Sequence, residues 1–277
     1  MTGVLTLVAT PIGNLGDLPA RAVDSFETAD LVCCEDTRRT GSLLRHLGVH
    51  VAELRRLDDH TEYEAIPHIL DRLRSGEHVV VVSDAGTPGI SDQGERLVAA
   101  AVDAGLAVTS VPGPVAAIAG LVASGLPSSR FVFEGFLARK GQERLAQLAA
   151  IAAQTRTTVF YESPNRLAAT LAALAELCGG SRRAVVAREL TKLHEELRRG
   201  SLAELAEWAG AGVKGEVVVV VAGAEAPAEF DDDALVERLR AVLADGSSRR
   251  DAIDRVAAET GVRRSRVYDL ALALNAP

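Results

Sequence analysis

Cysteine, lysine and long apolar runs are all scarce in this chain. Its three cysteines, Cys33, Cys34 and Cys178, form neither a disulfide framework nor the spaced set of a metal site. The longest apolar runs, at residues 79–82 and 217–222, are too short to cross a bilayer. The N-terminus also lacks the charged and apolar regions of a signal peptide. These absences favour a cytoplasmic protein with no disulfide, no metal and no membrane span.

Charge and size narrow the class of protein further. The 277 residues have a formal net charge of −8 at pH 7, which argues against nonspecific coating of nucleic acid. The same net charge does not exclude a local basic surface. Hydrophobic residues make up 48% and charged residues 25%, the balance of an ordinary globular protein. At this length, two main domains are the natural expectation.

The first part of the chain alternates between strand-like and helix-like segments. Strands are predicted at residues 4–9, 31–34, 79–83 and 107–111. Helices are predicted between or after them, at residues 18–29, 41–47, 63–75 and 93–103. This βαβ rhythm predicts a parallel, doubly wound sheet within an α/β domain spanning residues 1–115.

The pattern changes after this first domain. At least four further strands and two long helices predict a second α/β domain at residues 116–226. Pro227 and the acidic run at 231–233 indicate a linker, and two short helices joined at Gly261 then predict a helix-turn-helix-like tail at 227–277. From residue 246 onwards the tail holds six arginines and four acidic residues, so it is locally basic.

Four loops of the first domain follow predicted strands and are rich in glycine, proline or paired polar residues. They lie at residues 9–14, 35–38, 83–89 and 112–114. Each by itself could be an ordinary turn, but ligands of open parallel sheets bind beyond the carboxyl ends of the strands. None of the loops has the Gly-x-Gly-x-x-Gly or P-loop pattern. The residues themselves therefore predict a small-molecule cleft at the sheet edge, and no more.

Several of these segments resemble a known group of enzymes. Residues 9–14 (Ala-Thr-Pro-Ile-Gly-Asn), 34–38, 83–92 and 111–116 resemble signatures of the tetrapyrrole methylase superfamily. Within it they resemble the ribosomal RNA small subunit methyltransferase I family, the cytidine 2′-O-methyltransferases. Phe160-Tyr161-Glu162-Ser163-Pro164, residues 188–192 and residues 214–216 continue the likeness, and the tail resembles the family's C-terminal helix-turn-helix.

The resemblance implies a fold, a cofactor and a reaction. It implies two α/β domains, with a parallel sheet first and a mixed sheet second, that hold S-adenosylmethionine in the cleft between them. It also implies a homodimer that methylates a cytidine ribose of 16S ribosomal RNA, in the assembled 30S subunit. By position, the residues that it places at the cofactor are Ile12, Asp84, Gly86, Thr87, Val115, Ala116 and Tyr161.

Three residues are candidates for the chemistry, because a ribose hydroxyl is a weak acid that needs a base or in-line placement. Glu35 and Asp36 follow the second strand and could remove the proton or position the ribose. The alternative is a solvated turn paired with Arg38. Lys192 could lower the pKa of the hydroxyl or hold a phosphate, and its alternative is a surface salt bridge. Asp84 either faces the cationic donor or caps its own turn.

Arginines are the candidates for RNA contact. The predicted set is Arg38, Arg249, Arg250, Arg263, Arg264 and Arg266. For the tail, the alternative is a solvated helix face with dimerisation through Leu270, Leu272 and Leu274. Two rival functions stay open: a tetrapyrrole C-methyltransferase, and a ligand-sensing regulator that binds duplex DNA without consuming a methyl donor. The first loop departs from the Gly-x-Gly-Pro-Gly-Asp pattern of tetrapyrrole-modifying relatives, which favours the RNA branch.

Overall fold

The computed structural model describes residues 3–58, 61–225 and 230–274. The chain forms two compact units, Met1–Gly223 and Ala224–Pro277, and the first unit contains two five-stranded sheets. Within the described residues, no helix is long and apolar enough to cross a membrane. The α/β fold class with a helical C-terminal segment is therefore confirmed, whereas the domain bounds at residues 115 and 226 stay predictions.

The first sheet is entirely parallel, as expected. Its strands are β1 (Val4–Val8), β2 (Leu31–Cys34), β3 (Leu54–Arg56), β4 (His78–Val82) and β5 (Ala107–Val111), in the order β3-β2-β4-β1-β5. Its helices are α1 (Ala20–Glu27), α2 (Thr37–Leu47), α3 (Glu62–Arg74) and α4 (Glu95–Asp103). Leu5 and Val79 pack on one face of the sheet and Val8 and Val80 on the other, so both faces are buried.

Two local features of this half differ from the sequence expectation. Strand β3 was not predicted, because it is only three residues long and contains two arginines. Helix α2 begins at Thr37 rather than at residue 41, because the Asp36 side chain accepts a hydrogen bond from the Arg38 N–H and caps the helix. As a result, Arg38 and Arg39 lie in the first turn of α2, directly after β2, and Arg56 lies at the end of β3.

The second sheet is mixed. Its strands are β6 (Phe131–Phe136), β7 (Thr157–Glu162), β8 (Arg183–Arg188), β9 (Glu196–Ser201) and β10 (Val217–Val221), in the order β6-β7-β10-β8-β9. Only β6 and β7 pair in parallel, and the other pairs are antiparallel. Its helices are α5 (Ala116–Ser124), α6 (Gly141–Ala153), α7 (Pro164–Cys178) and α8 (Leu202–Gly210). Strand β9 was missed because its sequence, Glu-Leu-Arg-Arg-Gly-Ser, is that of a polar edge strand.

In its described residues, the C-terminal unit contains three helices, α9 (Asp232–Ala244), α10 (Arg249–Thr260) and α11 (Arg264–Ala273). The acidic run at 231–233 is not a linker. Asp231 caps α9 by accepting a hydrogen bond from the Ala234 N–H, and the next two aspartates lie in its first turn, where the helix dipole favours anions. Pro227, the other linker residue, lies outside the described residues. Of the three leucines considered for dimerisation, Leu270 and Leu274 pack on the unit's own core, whereas Leu272 is exposed.

Candidate functional site

A cavity of about 810 Å³ lies at the carboxyl ends of the first sheet. Loops that follow β1, β2, β4 and β5 form one wall, and the end of β7, the start of β10 and Leu190 form the other. The cavity brings together all seven residues expected at the cofactor, which are Ile12, Asp84, Gly86, Thr87, Val115, Ala116 and Tyr161. Glu35, Asp36 and Arg38 also line it. Lys192 is not among the lining residues in the described part of the chain.

The loops of the first wall are tied to one another through their backbones. Thr10 and Gly86 exchange two backbone hydrogen bonds of 2.8 and 3.0 Å, which join the loops after β1 and β4. The Thr87 hydroxyl donates to the Pro114 carbonyl at 3.1 Å and so joins the loops after β4 and β5. Gly86 has a φ of +88°, a conformation that side chains disfavour. These contacts join three of the four loops of the first wall to one another.

Asp84 connects two strand ends. Its Oδ1 accepts a hydrogen bond of 3.1 Å from the Asp36 N–H, and its Oδ2 lies 3.3 Å from an Nη of Arg39. The Asp84 side chain is 16% exposed. A carboxylate this poorly hydrated, on the wall of a cavity, attracts a cationic group more strongly than one in bulk water would.

The Asp36 carboxylate forms an ion pair with its neighbour Arg38. The Asp36 carboxylate accepts hydrogen bonds from the Arg38 N–H at 2.8 Å, from Nε at 3.2 Å and from an Nη at 2.9 Å. These bonds, the guanidinium ones first, hold the pKa of Asp36 well below its usual range. Asp36 is consequently ionised at neutral pH and a weak base.

A cluster of three aromatic rings lies at the second wall, and two of them, Phe136 and Tyr161, line the cavity. The rings of Phe133 and Phe136 lie with their centroids 5.1 and 5.2 Å from that of Tyr161. The Tyr161 hydroxyl accepts a hydrogen bond of 3.2 Å from the Ala117 N–H in the first turn of α5, a helix without a side-chain N-cap. Burial raises the pKa of Tyr161. This phenol is therefore a neutral, fixed wall residue at physiological pH.

Glu162 was not singled out by the sequence analysis, although it is the most enclosed carboxylate of the site. Its side chain is 0% exposed and lies 2.5 Å from Arg166 and 3.8 Å from Arg144. It also accepts hydrogen bonds from the Ser163 N–H at 2.7 Å and from the Thr170 hydroxyl at 2.6 Å. Glu162 ends strand β7 and Arg166 lies in helix α7, so their i, i+4 spacing is not the pattern of a pair within one helix.

Lys192 lies behind the cavity in a clamp of two glutamates. Its Nζ donates to Glu189 Oε1 and to Glu216 Oε2, both at 2.8 Å, and Glu216 lines the cavity. Partial burial lowers the pKa of Lys192, but the hydrogen bonds to the two glutamates outweigh it, and the net shift is upward. Lys192 is therefore a cation, and it contacts the cavity lining through the Glu216 carboxylate.

The loop that carries Lys192 presses against the first wall. A Cβ on Gly13 would lie 2.5 Å from Lys192 Cγ and 2.8 Å from Thr191 Oγ1, so only glycine allows this approach. Thr191 has a φ of +67°, which is strained for a β-branched residue, and its hydroxyl oxygen is buried without a partner among the described residues. We call this contact between the loop after β1 and residues 190–192 the seam.

The tail arginines are exposed but differ in their partners. Arg264 lies 2.5 Å from Asp254, and Arg266 lies 2.7 Å from Asp232. Arg249 and Arg250 occupy the first turn of α10, and Arg263 precedes α11. Two of the five predicted RNA contacts are thus engaged in ion pairs within the C-terminal unit.

Comparison with known proteins places the chain in a family. Residues 4–206 match the family Tetrapyrrole (Corrin/Porphyrin) Methylases, and residues 230–275 match the RsmI C-terminal HTH domain. The chain is 48% identical to the Ribosomal RNA small subunit methyltransferase I of Mycobacterium tuberculosis over 273 residues, covering 98% of this chain and 95% of that protein. It is 44% identical to the protein of the same name from Synechocystis, covering 99% of each.

Solved structures agree with the fold of the two sheets. The methyltransferase CobJ superposes with a TM-score of 0.61 at 21% identity, covering 80% of this chain and 94% of that one. The uroporphyrin-III C-methyltransferase of Thermus thermophilus, complexed with S-adenyl homocysteine, superposes with a TM-score of 0.56 at 19% identity, covering 80% and 97%. With the sequence matches over almost its whole length, the chain belongs to the ribosomal RNA small subunit methyltransferase I family of the tetrapyrrole methylases.

Proposed function

We propose that this protein transfers a methyl group from S-adenosylmethionine to the ribose 2′-oxygen of a cytidine in small-subunit (16S) ribosomal RNA. S-adenosylmethionine is its methyl donor, as expected from the sequence. The observation that carries the proposal is the cavity of about 810 Å³ in a chain that shares 48% identity with a protein named for ribosomal RNA methylation. A binding pocket of this size suits a nucleoside-sized ligand.

The residues of the first wall suit the donor chemically. Ile12, Val115 and Ala116 offer an apolar surface for a purine, and Asp84 offers a carboxylate to a cationic group. Gly86 lies beside the Ile12 side chain with a φ of +88°, a backbone conformation that favours glycine. When bound, the donor supplies a methyl group on a positively charged sulfur.

The chain's own residues must orient the hydroxyl and manage its proton. Of the three candidates, Glu35 is the one that we propose as proton acceptor, because it lines the cavity directly beyond β2. Asp36 is engaged by Arg38 and holds the start of α2. Lys192 acts as a cation, balanced by Glu189 and Glu216, near the place where negative charge develops or a phosphate passes.

Arginine side chains are the groups that we propose to contact the RNA. Arg38 lies at the cavity, and the tail arginines Arg249, Arg250 and Arg263 face solvent, where they can reach phosphates. Arg264 and Arg266 contribute only if their aspartate partners are exchanged for phosphate. Action on the assembled 30S subunit and a homodimer remain predictions of the family resemblance, and a cytoplasmic location remains a prediction from the composition.

The test is a direct product analysis. The protein is incubated with isotope-labelled S-adenosylmethionine and either 30S subunits or free 16S ribosomal RNA, and the label is mapped by nuclease digestion and mass spectrometry. We expect one labelled 2′-O-methylcytidine. Label on a base overturns the 2′-O assignment. No label on either RNA, with methyl transfer to a tetrapyrrole, favours the rival enzyme, and duplex DNA binding without turnover favours the regulator.

Glu35 is tested by a matched pair of variants. Glu35→Gln should lower kcat at least tenfold with the donor affinity unchanged, because the amide is nearly isosteric but does not accept the proton. Glu64→Gln, on the exposed face of α3 and away from the cavity, is the control. Equal kcat values for the two variants would remove Glu35 from the mechanism.

A further inference from the structure

Three arginines stand along one rim of the cavity. Arg38 and Arg39 lie in the first turn of α2, directly after β2, and Arg56 ends the neighbouring strand β3. Their side chains are 89%, 69% and 69% exposed. They are the only cationic side chains that line the cavity within residues 3–58, 61–225 and 230–274. Only Arg38 of the three was predicted from the sequence, because β3 and its pairing with β2 were not predicted.

The position of two of them works against the helix that carries them. Arg38 and Arg39 occupy the positive end of the α2 dipole, where cations are unfavourable. Arg45 lies in the last turn of the same helix, where a cation is favourable. A residue choice that opposes the local preference points to another requirement at this place.

Each guanidinium is held by one less exposed carboxylate. Arg38 pairs with Asp36 at 2.9 Å, Arg39 with Asp84 at 3.3 Å and Arg56 with Asp58 at 2.7 Å. The three aspartate side chains are only 26%, 16% and 12% exposed. A guanidinium has five N–H donors in a planar fork. A single carboxylate therefore orients the arginine and leaves donors on its solvent side.

Among the described residues, the other charged side chains that line the cavity are all acidic. Glu35, Asp36, Asp84, Asp92, Glu162 and Glu216 all line it. An RNA strand, with one negative charge per phosphate, is repelled by such a surface unless cations meet it at the entrance. Guanidinium groups bind phosphate in a bidentate manner.

We propose that Arg38, Arg39 and Arg56 form a phosphate-binding rim that holds the RNA backbone beside the target nucleotide, on the β2–β3 side of the cavity. The proposal rests on the proposed RNA substrate. The rim goes beyond the proposed function because it gives Arg39 and Arg56 a role in phosphate binding and places the RNA strand on one side of the cavity.

The test compares single variants in binding to 16S ribosomal RNA between 50 and 200 mM salt. Arg56→Ala is the primary variant, since Arg39 also contacts Asp84 at the donor site. Its affinity should fall about three- to tenfold at 100 mM salt, and the slope of log affinity against log salt should drop by about one. Arg38→Ala should behave in the same way, and Arg45→Ala, at the other end of α2, should match the wild type.

Further measurements separate the rim from folding and from the proposed function. Arg56→Lys should recover the salt slope but not the full affinity, because ammonium is a point charge. Donor affinity by calorimetry should stay unchanged in Arg56→Ala. If the wild-type protein methylates RNA and the rim variants bind RNA as tightly as Arg45→Ala does, the rim proposal is overturned and the proposed function is not. Wild-type protein that neither binds nor labels RNA overturns the rim and the proposed function together.

Discussion

The two walls of the cavity are built in different ways. The first consists of short loops after parallel strands, linked through backbone groups such as those of Thr10 and Gly86, with partly exposed charges at its rim. The second joins the end of β7 to the start of β10, and it carries the Tyr161 ring and the fully buried Glu162. We infer from this difference that the first wall contributes mainly to ligand binding and the second mainly to the stability of the fold.

Removal of the buried Glu162 carboxylate should have the largest effect on the free energy of unfolding, and it tests whether the second wall stabilises the fold. Glu162→Ala leaves Arg166 and Arg144 without their shared carboxylate, which should cost about 3 kcal/mol of unfolding free energy. Urea unfolding measures it. Glu207→Ala, on the exposed face of α8, should change stability by less than about 0.5 kcal/mol. A loss below about 1 kcal/mol for Glu162→Ala would contradict this view of the second wall.

The seam should respond next, because it joins the two walls. In Gly13→Ala the new Cβ collides with Lys192 Cγ and Thr191 Oγ1, and we expect a loss of about 1–3 kcal/mol in stability. Gly41→Ala is the matched control, since its Cβ meets only Leu54 at 3.8 Å inside helix α2. It should be neutral or slightly stabilising. Equal unfolding midpoints for the two variants would show that the walls are not in tight contact.

A change in the first wall should affect binding rather than folding. Asp84→Asn keeps an acceptor for the Asp36 N–H but loses the negative charge on the cavity wall. We expect the Kd for S-adenosylmethionine to rise about tenfold, roughly 1.4 kcal/mol, with little change in the unfolding midpoint. Calorimetry measures the first quantity and urea unfolding the second. Asp24→Asn, on the exposed side of α1, should change neither, and an unchanged Kd for Asp84→Asn would refute the assignment.

The smallest effect concerns the Glu189–Lys192–Glu216 clamp and its pH dependence. The pKa of Glu189 is lowered, mainly by Lys192, so its stabilisation is present above about pH 4.3 and is lost in more acidic solution. The pKa of Lys192 is raised, so its stabilisation is full below about pH 10.4 and is lost as the pH rises further. Because these side chains are partly exposed, the clamp contributes less than about 1 kcal/mol.

The measurement is the difference in unfolding midpoint between the wild type and Lys192→Met. It should be constant from about pH 5.5 to 9.5 and should shrink outside that range. A difference that changes between pH 6 and 9 would mean that another group titrates within the clamp.

Much of the first wall could be predicted from the sequence, because a parallel sheet leaves few choices. Consecutive βα units place every strand's carboxyl end at the same edge, so polar and glycine-rich loops after β1, β2, β4 and β5 must meet there. Asp84 and Gly86 are therefore assignable to one cleft from the sequence alone. The cofactor and the RNA substrate came from the family resemblance and not from this physical reasoning.

Glu162 and Arg56 show what sequence patterns do not contain. Glu162 ends a strand whose antiparallel neighbour, β10, is more than fifty residues away, and only that pairing brings Val217 opposite it. Arg56 belongs to a three-residue strand that exists because β2 offers it hydrogen-bonding partners. Neither residue has a local signal strong enough to reveal its place.

The sequence by itself determined the parallel first sheet and the edge at which its loops converge, since both follow from local periodicity and the handedness of the crossovers. Only the tertiary structure decided what stands around that edge. It enclosed Glu162, turned Lys192 away behind Glu216 and brought Arg56 beside Arg38. The physical reason is that these contacts join residues far apart in the chain, and their free energy depends on burial and on partners that no local pattern specifies.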